Sequence, residues 1–377
     1  IYDGRSIMKF SVSRETLLRP LGLMVGVVGR RNTLPILSHI RLDATAEGLT
    51  ITGLDLEVEL IWRLHLDHLS SPGTITVPAK KLSDICKSLR ENAQIEFELQ
   101  GDKALVVSGA SRFTLQTLPS SEFPSMQLSP VSHQVNLPQK VLRHLIHRND
   151  FAMARDDIRY YLNGMYFELK TGQMRAVATD GHRLSLADAQ VQTPEIEASS
   201  MIVPGKAVHD LAKLLEESDD VIEFIFGEQH FQVNAGSYTF ISKHIEGRYP
   251  DYERVIPREG NKTLVCPRLE LRQILSRISI LANEKFQGIR LLLEPGLLTL
   301  KASNSEHEEA SETLALDYQG EALEIGFNVS YLIDVMDNIG DDIEQIEMIL
   351  SDANSSGLIQ AHGQPATALY VVMPMRL

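Results

Sequence analysis

The stretch that looks most able to do chemistry is ATDGHRL, from Ala178 to Leu184. Asp180 and His182 could act there as an acid–base pair, with Arg183 as an anion clamp. The same string also reads as an Asp-Gly turn between two strands, with His182 and Arg183 on the surface. A second group, SNSEHEEASE from Ser303, gathers His307 with Glu306, Glu308, Glu309 and Glu312. Nothing in the spacing converges these carboxylates, so they read as a solvated or interface-forming edge and no metal is expected. The chain has no GxxxxGK[ST], no GxGxxG after a strand, no GxSxG and no HExxH, which removes the usual nucleotide, hydrolase and metalloprotease signatures and implies no cofactor. Two cysteines are too few for a disulfide framework or a thiolate zinc site. Cys86, at helical spacing from Leu82, Ile85 and Leu89, reads as a buried thiol. The tail YVVMPMRL, from Tyr370, is either a strand with a core contact or the lip of an apolar peptide pocket, because thioethers adapt to varied ligands.

These residues are carried by a unit written three times. VPAKKLSDICKSL from Val77, VPGKAVHDLAKLL from Val203 and FNVSYLIDVMDNI from Phe327 superpose, with Asp84, Asp210 and Asp334 in one column about 125 residues apart. Their apolar columns agree as well: Leu82, Val208 and Leu332, then Ile85, Leu211 and Val335. Each helix is followed by an alternating strand, QIEFEL, VIEFIF or QIEMIL, and preceded by a strand ending at Asp55, Asp180 or Asn304. Each unit opens with a helical run: VSRETLLRPLGLM, LPQKVLRHLIHRN and PRLELRQILSRISIL. The fold class is therefore α+β, with three similar domains at 8–130, 131–258 and 259–377, joined by the Pro-containing linkers LSPVSHQVN and IPREGNKT. Residues 1–7, IYDGRSI, precede the first plausible start at Met8 and read as a vector-derived scar. The Asp180 column has no His-Arg partner in GLDLEVE or SNSEHEE, so that locus was specialised in one unit only.

With 36 Lys and Arg against 50 Asp and Glu, the net charge of −14 argues against coating nucleic acid or an anionic membrane by bulk attraction. No window approaches 18 uninterrupted apolar residues, and a cytoplasmic protein is expected. The cations nevertheless concentrate on helices: Arg14 and Arg19, then Lys140, Arg143, His144, His147 and Arg148, then Arg268, Arg272 and Arg277, with Lys80, Lys81, Lys87, Arg90, Lys206 and Lys213 on the second helices. Helices turned inward with sheets outside would give a basic lining within an acidic body.

TLPIL from Thr33, RYYLNGM from Arg159, VATDGHRL from Val177, GRYPDYERV from Gly247, NEKFQGIRL from Asn283, EIGFNVSY from Glu324 and the terminal YVVMPMRL closely resemble the bacterial DNA sliding clamp family, the beta subunit of DNA polymerase III. The resemblance runs from Met8 to Leu377. It implies a non-catalytic processivity factor of DNA replication, a nucleoid-associated head-to-tail homodimer that closes a six-domain ring. Helices would line a pore that encircles duplex DNA. Its implied partners are the polymerase III catalytic subunit, the clamp loader and repair proteins, each docking by a short peptide. Two alternatives stand beside it: a hydrolytic enzyme centred on Asp180 and His182, and a peptide-docking hub without DNA.

By motif, the resemblance places the peptide pocket at Leu162, Thr179, Gly181, His182, Arg183, Leu184, Pro250, Arg254, Val255, Asn328, Tyr331, Ser356, Val371, Met373, Pro374, Met375, Arg376 and Leu377. It implies DNA contacts at Arg31, Lys80, Tyr161 and Lys206. Asp156, standing where the best-known members carry Gln, would repel phosphate. The implied dimer interface sets Phe113 and Leu115 against Ile280 and Leu281, flanked by Lys103 and Arg112 opposite Glu306, Glu308, Glu309 and Glu312. Ala110 stands where a basic residue is usual, so apolar contact should dominate there.

Overall fold

The computed structural model describes residues 8–28, 34–365 and 367–376. Helix α1 (Arg14–Val28) starts where Ser13 Oγ accepts the Thr16 N–H at 3.2 Å, an N-cap. Its inward face buries Leu17, Leu21, Met24, Val27 and Val28. Each such aliphatic side chain contributes about 1.5–3 kcal/mol on full burial, which offsets Pro20 inside the helix. The remaining helices are α2 (Ala79–Ser88), α3 (Gln139–His147), α4 (Gly205–Leu214), α5 (Arg268–Ser279) and α6 (Val329–Asn338). The second helix of each unit begins two residues later than its apolar pattern suggests. Val77–Pro78, Val203–Pro204 and Phe327–Asn328 still belong to strands. A proline has no N–H to donate and its ring fixes φ, so Pro78 and Pro204 suit the boundary, while Asn328 caps α6 with its side chain.

Inter-residue contacts divide the chain into two bodies. The first takes its described residues from Ile1–Lys140 and His209–His244, and holds a five-stranded sheet and an eight-stranded one. In the larger sheet Val58–Leu64 pairs antiparallel with Tyr238–Lys243, a seam that joins strands of the first and second repeats. In the same sheet Phe224 stacks on Phe231 with ring centroids 5.5 Å apart, and Phe231 meets Phe240 at a tilt, 5.9 Å away. The five-stranded sheet ends at Ser111–Gln116, which has a strand neighbour on one side only. The second body, Val141–Val208 with Ile245–Leu377, repeats the plan. Its eight-stranded sheet is joined through Arg183–Gln190 and Ala368–Val372, and its four-stranded sheet ends at Glu309–Ala315, again paired on one side only.

The first residue of each opening helix ties down the end of the second helix of its own repeat. Arg14 Nε donates to Cys86 O (2.9 Å), Gln139 Oε1 accepts the Glu216 N–H (3.0 Å), and the buried Arg268 donates Nη1 to Met336 O (2.8 Å). Two of the cations assigned by sequence to a basic lining are thus consumed as helix C-caps. Others are paired on the surface: Arg19 with Glu216, Lys80 with Asp84, Lys140 with Asp219, Lys213 with Asp210, Arg272 with Asp337 and Arg277 with Glu312. Lys81 and Lys87 on α2, and Arg90 just beyond it, have no carboxylate partner among the described residues.

Beneath the linker at Ser129, His230 and His244 sit together in the first body. The Ser129 N–H donates to His230 Nε2 at 2.6 Å, while His133 Nδ1 and His244 Nε2 are buried without a partner among the described residues. Burial, reinforced by His230, lowers the His244 pKa to about 4, and burial with Lys243 lowers that of His230. The folded state therefore refuses protons that the unfolded chain accepts. The stability is complete above the ordinary histidine pKa and is lost as pH falls from about 6.5 through about 4, on the order of 2 kcal/mol for His244 after allowing for its partial exposure. The urea midpoint should fall over that window, and His244→Gln should flatten the slope; an unaltered slope in the variant would count against this assignment.

Candidate functional site

The Asp180–Arg183 turn is held from within. Asp180 Oδ1 accepts the N–H groups of His182 (2.9 Å) and Arg183 (3.1 Å), while Thr179 Oγ1 donates to Arg183 O at 2.6 Å. Gly181 takes φ +88°, a left-handed conformation open to glycine at little cost. Arg183 is the hub. Its guanidinium meets Asp180 (3.2 Å), Asp334 on α6 and the Phe151 carbonyl (2.8 Å), and it lies 4.4 Å from the Tyr331 ring centroid. His182 stacks on the other side of this corner, its ring 6.4 Å from that of Tyr331. Asn328 Oδ1 accepts the Ser330 and Tyr331 N–H groups, so the start of α6 is fixed where Tyr331 is needed. Desolvation raises the Tyr331 pKa, keeping a neutral amphipathic ring at the rim.

The tail is bound to the same corner. Arg183 pairs with Val372 and Leu184 with Val371 in the seam. Beyond it, the Met373 N–H donates to His182 O (2.9 Å) and the Met375 N–H to Gly326 O (2.8 Å). This leaves Met373 at 37% exposure and Pro374 and Met375 half-buried, with Met375 bridged to Gly326. Leu162, Leu184 and Val371 form the floor in one buried cluster with Tyr249 and Tyr252. Those tyrosines anchor the segment carrying Pro250, Arg254 and Val255, the last 36% exposed. Ser356 sits half-buried immediately before Gly357, which pairs with Val372. Leu377 lies outside the described residues.

Sequence reasoning left Asp334 and Phe151 out of this site. The Asp84, Asp210, Asp334 column was visible, but a salt bridge spanning 151 positions was not. The catalytic alternative fails on the same geometry. Asp180 is engaged by two N–H groups and Arg183, and the exposed His182 is stacked on an aromatic ring. Among the described residues, no three His, Cys, Asp or Glu side chains converge to hold a metal ion.

Of the other expected contacts, Arg31 lies outside the described residues. Lys80 is 2.5 Å from Asp84. Lys206 is exposed in the first turn of α4, and Tyr161 is half-buried against Tyr160. Asp156 is exposed at φ +54°. Ile280 is 76% exposed at the end of α5 and Leu281 half-buried, whereas Leu115 is 6% exposed and Phe113 half-buried on the Ser111–Gln116 edge. Lys103, Arg112, Glu306, Glu308 and Glu309 are exposed, while Glu312 bonds Arg277 of its own chain. No described helix is long and apolar enough to cross a membrane.

Three α+β repeats joined by two internal strand seams, with the Arg183 corner and the C-terminal strand packed together, define a clamp-type scaffold. Comparisons with known proteins agree. The family models for the N-terminal, central and C-terminal domains of the DNA polymerase III beta subunit match residues 8–127, 136–251 and 253–376. The chain is 50% identical to the beta sliding clamp of Pseudomonas aeruginosa, covering 98% of this chain and all of that one, and 42% identical to that of Escherichia coli at the same coverage. The crystal structure of the Pseudomonas aeruginosa clamp bound to griselimycin superposes with a TM-score of 0.95 at 49% identity, and that of the Caulobacter crescentus (C. crescentus) clamp with 0.94 at 36%, covering 98% and 99% of this chain and all of each. The chain belongs to the DNA polymerase III beta subunit family, the processivity sliding clamps of DNA replication.

Proposed function

We propose that two copies of this chain close head to tail into a ring around duplex DNA, and that the cleft at Arg183 receives short peptides from the polymerase and other DNA-processing proteins. The observation that carries ring closure is a register repeated twice. In the first seam Phe240 faces Leu60 and Ser242 faces Val58; in the second Tyr370 faces Ser185 and Val372 faces Arg183. Aligned by their repeats, these pairs coincide. Each seam also ends in the same bond, Lys243 N–H to Glu57 O and Met373 N–H to His182 O, both 2.9 Å. The third seam has both its strands, Ser111–Gln116 and Glu309–Ala315, each left as the end strand of a different sheet. Carrying the register across pairs Phe113 with Ala310 of the partner subunit and Thr114 with Glu309 of the partner subunit. Inward-facing residues then meet inward-facing ones, and Arg112 falls diagonal to the partner's Glu309. Unpaired edges invite such strand addition.

The surface ion pairs on the helices suit sliding. Exposed pairs contribute only about 0–1 kcal/mol, so Arg19, Lys80 or Arg272 can exchange a carboxylate for a passing phosphate at little cost either way. Binding is then weak at each contact and salt-sensitive, and retention comes from closure. The domains in this reading are 8–130, 131–258 and 259–377, and the protein works in the cytoplasm on the nucleoid.

The test is retention on DNA. Protein placed on a nicked circular plasmid by its loader should survive a high-salt wash, and should be lost when the same plasmid is linearised. Equal loss from both forms would refute encirclement.

A further inference from the structure

The segment before the cleft, Ala154–Asn163, touches both of its walls through adjacent residues. Arg159 Nη2 donates to the Asp180 carbonyl at 3.1 Å, and a Cβ placed on Gly181 would lie 2.8 Å from Arg159 Nη1. The guanidinium therefore lies flat against the turn that carries His182 and Arg183. Beside it, Tyr160 meets the opposite wall: a Cβ on Gly247 would lie 3.2 Å from the Tyr160 hydroxyl. Gly247 takes φ +131° and leads into the Tyr249–Val255 segment. Both glycines thus occupy left-handed φ where an aromatic or guanidinium plane presses on the backbone.

Arg159 is itself fixed. Asp157 accepts its Nε at 3.0 Å and its Nη2 at 2.8 Å, a bidentate fork, and the Asp157 N–H is held by Asn163 Oδ1 at 2.9 Å. An unbroken polar chain therefore runs from Asn163 through Asp157, Arg159 and Asp180 to Arg183 and Asp334.

We infer that Arg159 and Tyr160 form a spacer that sets the width of the peptide cleft, Arg159 being a positioning residue that acts on His182 and Arg183 through the Asp180 turn. The inference rests on reading the cleft as the peptide site. A ligand meeting pre-positioned walls is spared the cost of ordering them, so removing the spacer should weaken binding while leaving the lining residues in place.

The test uses the full-length dimer and griselimycin, the ligand carried by the Pseudomonas aeruginosa relative. Arg159→Ala should weaken griselimycin about tenfold, with melting temperature and dimer mass essentially unchanged, and Tyr160→Ala should weaken it several-fold. Arg159→Lys should stay weakened about fivefold, because an ammonium cannot reproduce the fork. Asp157→Asn should cost about threefold alone and nothing further in the Arg159→Ala background, since Asp157 acts through Arg159. Met373→Ala and His182→Ala, which alter the lining itself, are the controls. If they weaken griselimycin and Arg159→Ala does not, the spacer is refuted and the peptide site stands. Multiplying losses for Asp157 and Arg159, or full rescue by lysine, also refute it. If neither the controls nor Arg159→Ala matter, the reading of the cleft falls, and the spacer with it.

Discussion

Thr114→Pro is expected to yield a folded, soluble monomer. Along an antiparallel strand the N–H and C=O of one residue point to one neighbour and those of the next residue to the other. In the internal seams the outward donors are Lys243 and Met373, and Arg63 N–H donates to Ser237 O at 2.8 Å. By repeat alignment Gln116 corresponds to Lys243 and Thr114 to Ile241, so the Thr114 N–H faces the open edge and takes no part in the ladder with Lys103–Ser108. Proline is tolerated on an edge when the missing N–H faced outward, so the parent sheet should survive. The seam loses a donor and meets a pyrrolidine ring, together roughly 3 kcal/mol, or more than a hundredfold in dissociation constant. Sedimentation should report half the wild-type mass with a cooperative unfolding transition retained. Ile280→Ala with Leu281→Ala should have the same effect by removing the apolar contact beside the seam. A Thr114→Pro protein that stays dimeric would refute the proposed register.

Arg183→Met is expected to abolish ligand binding at the cleft while leaving the dimer intact. Methionine keeps the length of the side chain but removes the bonds to Asp180, Asp334 and the Phe151 carbonyl, and the cation over Tyr331. The Asp180 side chain is 18% exposed and loses a partner where solvent replaces it poorly, while that of Asp334, 39% exposed, is largely resolvated. The unpaired Phe151 carbonyl and Asp180 carboxylate should cost about 1–3 kcal/mol of stability, with little from the solvated Asp334. Tyr331 and His182 are no longer held in register, so griselimycin affinity should fall by about a hundredfold or more. Calorimetric titration against the unfolding midpoint separates the two effects. Affinity within threefold of wild type would remove Arg183 from the centre of the site.

What was readable from residues alone followed from short-range rules. Helix faces recur at Leu82, Val208 and Leu332, and strand alternation recurs in QIEFEL, VIEFIF and QIEMIL, because periodicity depends on neighbours a few positions away. The turn formers Asp55, Asp180 and Asn304 were legible for the same reason: each side chain caps N–H groups two to four residues on. The tail was ambiguous between core strand and pocket lip, and the structure shows the strand, with an exposed residue after it. Val371 and Val372 are buried in the seam, while Met373 stands exposed beyond it.

The use of the charges was not legible. Arg14 and Arg268, counted toward a basic lining, point into the protein because carbonyls at the ends of α2 and α6 need donors that their own helices cannot supply. Glu312, read as part of an outward acidic edge, turns toward Arg277. The sequence by itself determined the triplication, the elements and the turn at Asp180, all properties of residues within a few turns of one another. Only the tertiary structure decided that Arg183 would be clasped by Asp334 and Phe151, that Arg159 would brace the same turn, and that two seams would share one register. Those contacts join residues far apart in the chain, and their partners are selected by packing and by the need to satisfy buried polar groups, which no local pattern encodes.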